Sequence, residues 1–426
     1  MLVHRAYSFI KPPRVAQGLG GILGIGILLA EGDEHKRQRK NLMPAFAFRH
    51  VRDLYPVFWE KSHLMVEEMV KNLPQKTHKG DSENEGMDMR DWSSRATLDV
   101  IGVAGLGVEF NALTAPSTSE LLRVYKGIFA GGRLSSWLAL LAEILPMKIL
   151  RMIPVKRNHV MRDALVTIKK VARELVQEKR KRLEEERAAG VERSDKDILS
   201  VAMESGGFSD EDCMNQLMTF LAAGHETSAS AFTWIVYMLC KHPSIQSQLR
   251  SELQSKLPNL RDPGFQLAPS DVDHLPYLNA VINETLRLYP PVPMTLRLTT
   301  QPTLLPNTTT VLPPGTHVMI CPWAINTDPS LWGPDSDSFN PSRWLGPGKA
   351  NTGGASNYAF GTFIHGPRSC IGKDFSKAEL QCLVVAFVGR FECRLRDEDW
   401  VLDIQNGITA SPRGGLWVKL KEVEEW

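Results

Sequence analysis

The 426-residue sequence predicts a mainly α-helical fold with a small β subdomain, in the α+β class. Apolar residues recur at spacings of three and four over Asp53–Leu73 and Val160–Ala189, which is the period of an amphipathic helix. From Arg297 to Ile320, β-branched runs alternate with Pro, Asn and Gly, a pattern typical of short strands joined by turns. These observations place helices in the first two thirds of the chain and a small sheet after them.

Further elements follow in order along the chain. A long apolar segment, Glu211–Lys241, predicts a buried central helix, and Phe375–Arg390 predicts another helix beyond the strands. Pro313–Gly315 predicts a hairpin-like turn, and the tail Phe391–Leu420 has the pattern of short strands. We therefore expect one mostly helical domain with a small sheet appended.

The charge balance excludes a nucleic-acid backbone as the main partner. The chain has 50 Lys and Arg against 48 Asp and Glu, a net charge of +2, whereas nucleic-acid-binding proteins carry a strongly basic surface. The six cysteines all stand from Cys213 onward and form no C-x-x-C pair, so zinc-finger and redox-motif interpretations fail. We expect a reduced, intracellular chain.

Two apolar stretches are the candidates for a membrane segment. Gly18–Ala30 is shorter than the roughly 20 apolar residues that a spanning helix needs. Trp137–Leu150 is interrupted by charged residues and a proline, and a core helix is a better interpretation of it than a segment dipping into a bilayer. The glycines of the first stretch do not match G-x-G-x-x-G, so no dinucleotide loop is predicted.

The strongest chemical signal is the segment Phe360–Leu380. Cys370 stands immediately before a helix-forming stretch, and backbone amides at a helix start favour a thiolate, so we expect a lowered pKa for Cys370. Gly366 and Gly372 let the backbone pass close to a flat ligand, and Arg368 offers a cation to a carboxylate. A buried cysteine in a tight loop is the simpler interpretation of a lone Cys, but here the whole spacing F-x-x-G-x-R-x-C-x-G is present.

Phe363, Gly366, Arg368, Cys370 and Gly372 resemble the haem-binding loop of the cytochrome P-450 family. The resemblance implies that Cys370 is the axial thiolate ligand of a haem iron, with Phe363, Arg368 and Gly372 among the haem-binding residues. It covers nearly the whole chain and points to the eukaryotic, microsomal branch of the family and to a fungal source. The fold that it implies has a long central helix and a haem-thiolate loop.

A second motif, Leu221–Ser230, lies in the predicted central helix. Gly224 weakens that helix, and Glu226 and Thr227 place an acid and a hydroxyl in apolar surroundings, where unpaired polar groups cost free energy. By themselves these residues would indicate a kinked core helix. The string resembles the oxygen-binding stretch of the family, which implies that Thr227 and Glu226 relay protons in catalysis.

Glu284 and Arg287 are three residues apart and share a helix face, for which a surface ion pair is the simplest interpretation. With Arg343, in the string FNPSRW, they resemble the Glu-Arg-Arg cluster of the family. The role implied for that cluster is structural, because it locks the fold behind the haem loop.

His35 and Arg39, four apart on one helix face, resemble the family pair that holds a haem propionate. Arg297 resembles a further propionate partner. A surface histidine is the ordinary interpretation of a lone His. Lys36, Arg37 and Lys40 would face outward toward an acidic electron donor, or simply form a solvated face.

The N-terminal part departs from the pattern of the family, because His35 comes early in the chain. We expect residues 1–426 to form a single haem-thiolate monooxygenase domain that lacks the membrane anchor, the first helix and the first strands. Thr308–Leu312 and His317–Ile320 would then present unpaired strand edges. The chain alone is expected to aggregate or to bind haem substoichiometrically.

The activity implied is that of a haem-thiolate monooxygenase, which inserts one atom of dioxygen into a hydrophobic small molecule by hydroxylation or epoxidation, in secondary-metabolite biosynthesis. Electrons would come from NADPH through a separate NADPH–cytochrome reductase, since no flavin or nicotinamide motif is present. Val292–Thr295 and Phe220–Ala223 are predicted to line the substrate pocket. The implied location is the cytosolic face of the endoplasmic reticulum membrane, with peripheral membrane contact but no transmembrane anchor in this chain.

Two alternatives remain open at the level of sequence. One is a haem-thiolate isomerase or dehydratase, which needs no electron donor; such enzymes often depart from the acid–threonine pair that this chain keeps. The other is a catalytically inactive haem-binding fragment, which the early position of His35 favours.

Overall fold

The computed structural model describes residues 2–73, 86–116, 156–190, 197–262, 264–305, 308–346, 353–407 and 409–423. Helices dominate these residues. The α-helices are α1 Pro13–Leu23, α2 Gly32–Leu42, α3 Phe48–Asp53, α4 Tyr55–Lys71, α5 Met89–Val100, α6 Lys156–Ala189, α7 Ile198–Glu204, α8 Asp210–Lys241, α9 Pro243–Lys256, α10 Pro269–Asp273, α11 Pro276–Leu288, α12 Pro322–Asn326, α13 Pro329–Trp332 and α14 Lys373–Arg390.

The strands are short and form four small antiparallel sheets. In one sheet the order is β1-β3-β6, with Phe9 opposite Thr299 and Thr295 opposite Ile320. In another the order is β2-β10-β7, and β4-β5 and β8-β9 are two-stranded. The strands are β1 Phe9–Ile10, β2 Met87–Asp88, β3 Thr295–Thr299, β4 Thr303–Leu304, β5 Val311–Leu312, β6 His317–Ile320, β7 Phe391–Leu395, β8 Ile404–Asn406, β9 Ala410–Pro412 and β10 Trp417–Glu422.

Helix α8 runs through the middle of the core. It begins with a capping box, in which the Ser209 hydroxyl accepts from the Asp212 backbone N–H and the Asp212 carboxylate accepts from the Ser209 N–H, both at 3.1 Å. It ends at Lys241, just before the His242–Pro243 pair. Nearly every residue from Phe220 to Cys240 is buried or half-buried, as expected of a helix that is apolar on all sides. Helices α5, α6 and α14 pack against it.

Helix α14 follows the Cys370 loop directly and carries that loop on a rigid support. Its residues from Ala378 to Gly389 are buried, and it packs on α4 and α8. Near its start, the Phe375 ring meets the Phe58 ring of α4 edge-on, with centroids 4.9 Å apart. Such aromatic contacts in a close-packed core fix the position of the helix start.

A buried ion cluster lies behind the cysteine loop. Glu284 of α11 is fully buried and accepts from Arg287 Nε at 2.8 Å and from Arg343 Nε at 2.9 Å. Its carboxylate also accepts from the Trp344 indole N–H at 2.8 Å and from the Asn340 backbone N–H at 2.9 Å. The three charged residues that the sequence grouped together are therefore in contact, and the carboxylate is fully hydrogen-bonded.

The mainly α-helical class with a small β subdomain is confirmed. The predicted central helix differs from α8 by one residue at its start, and the predicted helix Phe375–Arg390 differs from α14 by two. The stretch Trp137–Leu150 lies outside the described residues. In the part of the chain that the structure describes, no helix combines the length and the apolarity needed to cross a bilayer.

Two expectations about the strands need correction, and a third agrees with the structure. The Pro313–Gly315 turn is not a hairpin turn, because it joins β5 to β6, which pair with β4 and β3 in different sheets. No strand was predicted before His35, yet β1 pairs with β3 on the side opposite β6. β5 and β6 each have one partner, β4 and β3, and lie at the edges of their sheets, so within the described residues each presents one unpaired edge, as expected.

Candidate functional site

A cavity of about 340 Å³ opens between α8, the Cys370 loop and the strand β3. Its walls are mostly apolar, and its polar residues gather at one end. From α8 it is lined by Thr219, Phe220, Ala223, Gly224, Thr227, Ser228 and Ala231; from the loop and α14 by Phe363, Ile364, Arg368, Ser369, Cys370, Ile371, Gly372, Phe375, Ser376 and Leu380.

The loop before α14 holds Cys370 on the floor of this cavity. The Cys370 N–H donates to the Phe363 carbonyl at 2.9 Å, which closes the loop. Ile364 and Gly366 have positive φ angles of 47° and 77°. At Gly366 a side chain would also collide with the backbone of Leu2, so this position requires glycine for two reasons.

The pKa of Cys370 contradicts the sequence-based expectation. Of the six cysteines, all of them described, Cys370 is the exposed one, because its side chain opens into the cavity. The protein walls nonetheless desolvate it, and this burial raises the pKa of the Cys370 thiol. The Gly372 backbone N–H and the charge of Arg39 lower the pKa but do not outweigh desolvation. Burial therefore disfavours the thiolate more strongly than the backbone N–H groups at the helix start favour it.

Five basic side chains gather at the polar end of the cavity: Lys11, His35, Arg39, Arg297 and Arg368. Within the described residues, Glu31 is the acid that acts on this group. It forms an ion pair with Arg368 and lies 3.6 Å from Lys11 Nζ. Positive charge therefore exceeds negative charge in a partly buried place, an arrangement that favours an anionic ligand.

Burial and neighbouring positive charges lower the pKa values of Lys11 and His35 in this cluster. Burial, opposed by Glu31 and assisted by the charges of Arg368 and Arg297, lowers the pKa of Lys11 to about 8. Burial and the charges of Arg368, Lys11 and Arg39 lower the pKa of His35 to about 4. His35 is therefore neutral at pH 7, and its Nδ1 lies 3.0 Å from the Tyr7 hydroxyl.

The three arginines of the cluster already have partners in the protein. Arg39 donates to the carbonyl and hydroxyl of Ser369, and Arg297 donates to the Thr295 hydroxyl at 2.8 Å. The Arg368 guanidinium also lies 5.0 Å from the centre of the Tyr7 ring, a cation–π contact. These contacts hold the guanidinium groups in place at the cavity wall.

Thr227 lies on the opposite, α8 wall. Its hydroxyl donates to the Ala223 carbonyl at 2.6 Å, so its oxygen still has a lone pair for a donor in the cavity. One turn earlier, a side chain at Gly224 would crowd the Ile101 methyl group, 2.9 Å away. Glycine at position 224 therefore lets α8 pack closely against Ile101 at this part of the cavity wall.

Glu226 points away from the cavity. One carboxylate oxygen accepts from the Thr409 hydroxyl at 3.5 Å, and Arg90 is the cation that acts on it. Burial raises the pKa of Glu226, while Arg90 and Thr409 lower it in part. Eight of the nine predicted site residues line the cavity, and Glu226 is the one that does not.

Sequence reasoning missed Lys11 and Tyr7. Both lie next to strand β1, which carries no hydrophobic periodicity and is only two residues long. A sequence signal for them would have been an aromatic residue before, and a basic residue after, a short strand that pairs with β3, the strand that carries Arg297.

Of the predicted pocket segments, Val292, Thr295, Phe220 and Ala223 line the cavity. Lys36, Arg37 and Lys40 are exposed, but Lys36 and Arg37 are paired with Asp33 and Glu34.

Comparison with known proteins identifies the family of the chain. The family model described as Cytochrome P450 matches residues 2–418. The chain is 46% identical to Cytochrome P450 monooxygenase sphH of Aspergillus fumigatus over 431 residues, covering 100% of this chain and 77% of that protein. It is 39% identical to Cytochrome P450 monooxygenase ALT8 of Alternaria alternata, covering 100% and 80%, and 38% identical to Cytochrome P450 monooxygenase FUM15 of Gibberella moniliformis, covering 99% and 78%.

The fold and the cavity define a protein in which a long central helix faces a cysteine loop across an apolar cavity. The chain belongs to the cytochrome P-450 family. Its activity is that of a monooxygenase. The cofactor of this family is haem. The residues present fit it: a thiol opens into the cavity, the walls are apolar, and the basic cluster has an excess of positive charge suited to two propionates.

Proposed function

We propose that residues 1–426 act as one haem-thiolate monooxygenase domain that oxidises a hydrophobic small molecule by hydroxylation or epoxidation. The observation that carries this proposal is the placement of Cys370 and Thr227 in one cavity, with the basic cluster at its end. A bound haem would supply the activation of dioxygen, by which one oxygen atom enters the substrate and the other leaves as water. Cofactor binding and proton transfer are proposed to be the functions of side chains of this chain.

Cys370 is proposed as the residue that would bind the haem iron through its sulfur. The closed loop and the rigid start of α14 hold its sulfur on the cavity floor. Since burial raises the pKa of the free thiol, a bound cation is needed to hold the thiolate, while Gly372 and Arg39 assist by lowering the pKa. Phe363 and Gly372 border the same floor.

His35, Arg39, Arg297 and Arg368 are proposed to hold the propionates, and Lys11 joins them. His35 is neutral and binds through hydrogen bonds, whereas the arginines and Lys11 contribute charge. Charge-assisted hydrogen bonds of this kind are short and strong. Four cations against the single acid Glu31 leave an excess of three positive charges, of which two bound carboxylates would neutralise two.

Thr227 is proposed to accept and pass protons on the distal side. Its hydroxyl proton is engaged by the Ala223 carbonyl, so its oxygen accepts a hydrogen bond from a donor in the cavity. Glu226 is proposed to take part in this proton transfer from the side of α8 that faces away from the cavity. There its carboxyl contacts Thr409 and has a raised pKa. Positioned proton transfer of this type contributes typically about 10²–10⁴-fold to rate.

NADPH is proposed to supply electrons through a separate NADPH–cytochrome reductase. The substrate is proposed to be apolar, since Val292, Phe220, Ile101 and Ala223 line the cavity beside Thr227. A role in secondary-metabolite biosynthesis, an endoplasmic reticulum location and a peripheral membrane contact are part of the same proposal. Their support is the resemblance of the chain to fungal monooxygenases.

The test is the spectrum of the reduced protein with carbon monoxide. Wild type is expected to give the absorption band from which the family takes its name, and Cys370→Ser is expected to lose it. Cys321→Ser is the matched control, because Cys321 is the other cysteine that is not fully buried, and it should keep the band. A band unchanged in Cys370→Ser would remove Cys370 as the ligand and the proposal with it.

A further inference from the structure

Tyr7 is an aromatic residue beside the polar end of the cavity, and the proposed function does not use it. It belongs to the short 3-10 helix Ala6–Ser8, which directly precedes strand β1. The Ser8 carbonyl accepts from the backbone N–H and from the hydroxyl of Thr300, both at 3.1 Å. Tyr7 is therefore held next to the end of strand β3, the strand that carries Arg297.

The ring of Tyr7 contacts basic side chains from two other parts of the chain. Lys36 Nζ lies 4.9 Å from the ring centre, and the Arg368 guanidinium lies 5.0 Å from it. The His35 ring meets the Tyr7 ring edge-on, with centroids 5.8 Å apart. Because His35 and Lys36 belong to α2 and Arg368 to the cysteine loop, Tyr7 joins the start of β1 to both.

The hydroxyl of Tyr7 contacts one of the two ring nitrogens of His35. It lies 3.0 Å from His35 Nδ1, and it has no other hydrogen-bond partner among the described residues. The second nitrogen of His35, Nε2, has no hydrogen-bond partner in the described part of the chain, and it is not sealed off by protein atoms. Since His35 lines the cavity, Nε2 is the nitrogen that a ligand there can reach.

Two arrangements of protons fit this contact, and they present opposite chemistry to the cavity. If Tyr7 donates to Nδ1, the ring proton of neutral His35 is on Nε2, which is then a donor. If Nδ1 donates to Tyr7 instead, Nε2 presents a lone pair, and the phenol proton has no acceptor among the described residues. The excess of positive charge favours an anion in this place, which an N–H binds and a lone pair repels. The first arrangement therefore satisfies both side chains.

We propose that Tyr7 is a positioning residue, whose hydroxyl donates to His35 Nδ1 and thereby holds the tautomer in which Nε2–H donates to a carboxylate in the cavity. The hydrogen bond made by one nitrogen of a histidine decides which nitrogen carries the proton. The inference rests on the proposed function, because that carboxylate is the propionate that His35 is proposed to hold. Tyr7 acts through His35 and does not itself line the cavity.

The first test determines the tautomer directly and does not depend on turnover. The sample is the reduced holoenzyme with carbon monoxide, which is diamagnetic, labelled with nitrogen-15 at histidine. NMR spectra are recorded at pH 7, where His35 is neutral, and His35→Gln assigns the two signals of this residue. We expect a proton on Nε2, and an Nδ1 shift typical of a nitrogen that accepts a hydrogen bond.

Tyr7→Phe removes only the hydroxyl, so in this variant the Nδ1 signal of His35 should move to the value of a nitrogen without that hydrogen bond. A proton on Nδ1 in the wild-type protein would overturn the proposal. So would an Nδ1 signal that is the same in Tyr7→Phe as in wild type. The wild-type tautomer carries the test if Tyr7→Phe does not fold, which its haem content and unfolding midpoint establish.

The second test measures the rate of haem transfer to apomyoglobin. Tyr7→Phe keeps the ring contacts but leaves His35 free to change tautomer, so the rate should rise several-fold. In a His35→Phe background the same substitution should have no further effect, because Tyr7 acts through His35. Tyr358→Phe is the matched control and should leave the rate unchanged. The exposed Tyr358 also meets a histidine ring edge-on, that of His365, with centroids 5.1 Å apart.

Tyr7→Leu distinguishes the hydroxyl from the ring. If the ring alone matters, haem transfer is faster in Tyr7→Leu and unchanged in Tyr7→Phe, and the proposal is wrong. An equal rise on replacing Tyr7 with and without His35 present would likewise show that Tyr7 does not act through His35.

His35→Phe separates this inference from the proposed function. If His35→Phe speeds haem transfer and Tyr7→Phe does not, His35 keeps its proposed contact with the propionate and the role of Tyr7 fails. If His35→Phe leaves the rate unchanged while the NMR signals of His35 depend on Tyr7 as expected, the propionate contact fails and Tyr7 still sets the tautomer.

Discussion

Arg39 joins helix α2 to the residue that precedes Cys370: its guanidinium donates to the Ser369 carbonyl at 2.8 Å and to the Ser369 hydroxyl at 3.2 Å. The same cation lowers the pKa of the Cys370 thiol. One side chain thus supports the cysteine loop mechanically and electrostatically. The motif had indicated only a contact with a propionate, so the loop contact adds a function to Arg39.

Replacing Thr227 with alanine should uncouple electron consumption from oxidation. We expect product per NADPH to fall by about tenfold, within the range for a lost proton-transfer group, and peroxide to rise. Thr233→Ala is the matched control, because Thr233 makes the same hydrogen bond four residues back, at 2.7 Å, away from the cavity. Turnover without NADPH would instead support an isomerase or dehydratase.

Replacing Lys11 with methionine should weaken cofactor retention. A hydrogen bond to a charged group contributes about 1.5–3 kcal/mol, so we expect the rate of haem loss to apomyoglobin to rise by about tenfold or more. Lys36→Met is the control, since Lys36 is exposed and paired with Asp33. Equal rates of haem loss in wild type and Lys11→Met would remove Lys11 from the propionate site.

Gly366 and Gly315 allow the cost of a steric clash to be separated from the cost of a positive φ. Their φ angles are 77° and 82°, but a side chain at Gly366 would meet the backbone of Leu2, whereas Gly315 faces open space. Gly315→Ala should cost about 1–2 kcal/mol in unfolding free energy, and Gly366→Ala clearly more. Urea unfolding of both variants measures the difference, and equal costs would contradict the packing of Leu2.

Two acids contact Arg343 at 2.9 Å but differ in exposure. Glu284 is fully buried, whereas the Asp335 side chain is 48% exposed. Glu284→Gln should therefore destabilise the fold by about 3–5 kcal/mol, because it leaves the buried Arg287 guanidinium without an anion and takes from Arg343 its buried one. Asp335→Asn should cost about 0–1 kcal/mol. Thermal unfolding checks both, and similar losses would be contrary to the expected effect of burial.

Glu379 should make stability depend on pH. Its pKa is 4.5 in the absence of burial and about 8 in the folded chain, so between these values the folded state binds the extra proton and the free energy of unfolding falls as pH rises. Glu379→Gln removes this dependence. Relative to wild type, the variant should therefore gain stability between pH 6 and pH 9, measured by urea unfolding; a constant difference would argue for a normal pKa.

The sequence predicted the parts of the site that lie in local motifs. Cys370, Arg368 and Gly372 stand within one loop, and Thr227 is placed by the periodicity of α8. The direction of Glu226 was not predictable, because it depends on Thr409, 183 residues further along between β8 and β9. Lys11 was missed for a similar reason, since β1 is defined by its pairing with β3 and not by its own pattern. The pKa of Cys370 required the walls of the cavity, which no motif describes.

The Glu284 cluster also bears on the order in which the chain folds. Its carboxylate is bound by Asn340, Arg343 and Trp344, 56 to 60 residues away in sequence. Until that segment arrives, Glu284 must keep its hydration shell, so α11 cannot complete its burial on its own. Closing such a loop is an entropic barrier that local contacts do not offset. We therefore expect residues 340–344 to dock onto α11 late in folding, and a ribosome-bound chain that ends before Trp344 to hold this helix only loosely in place.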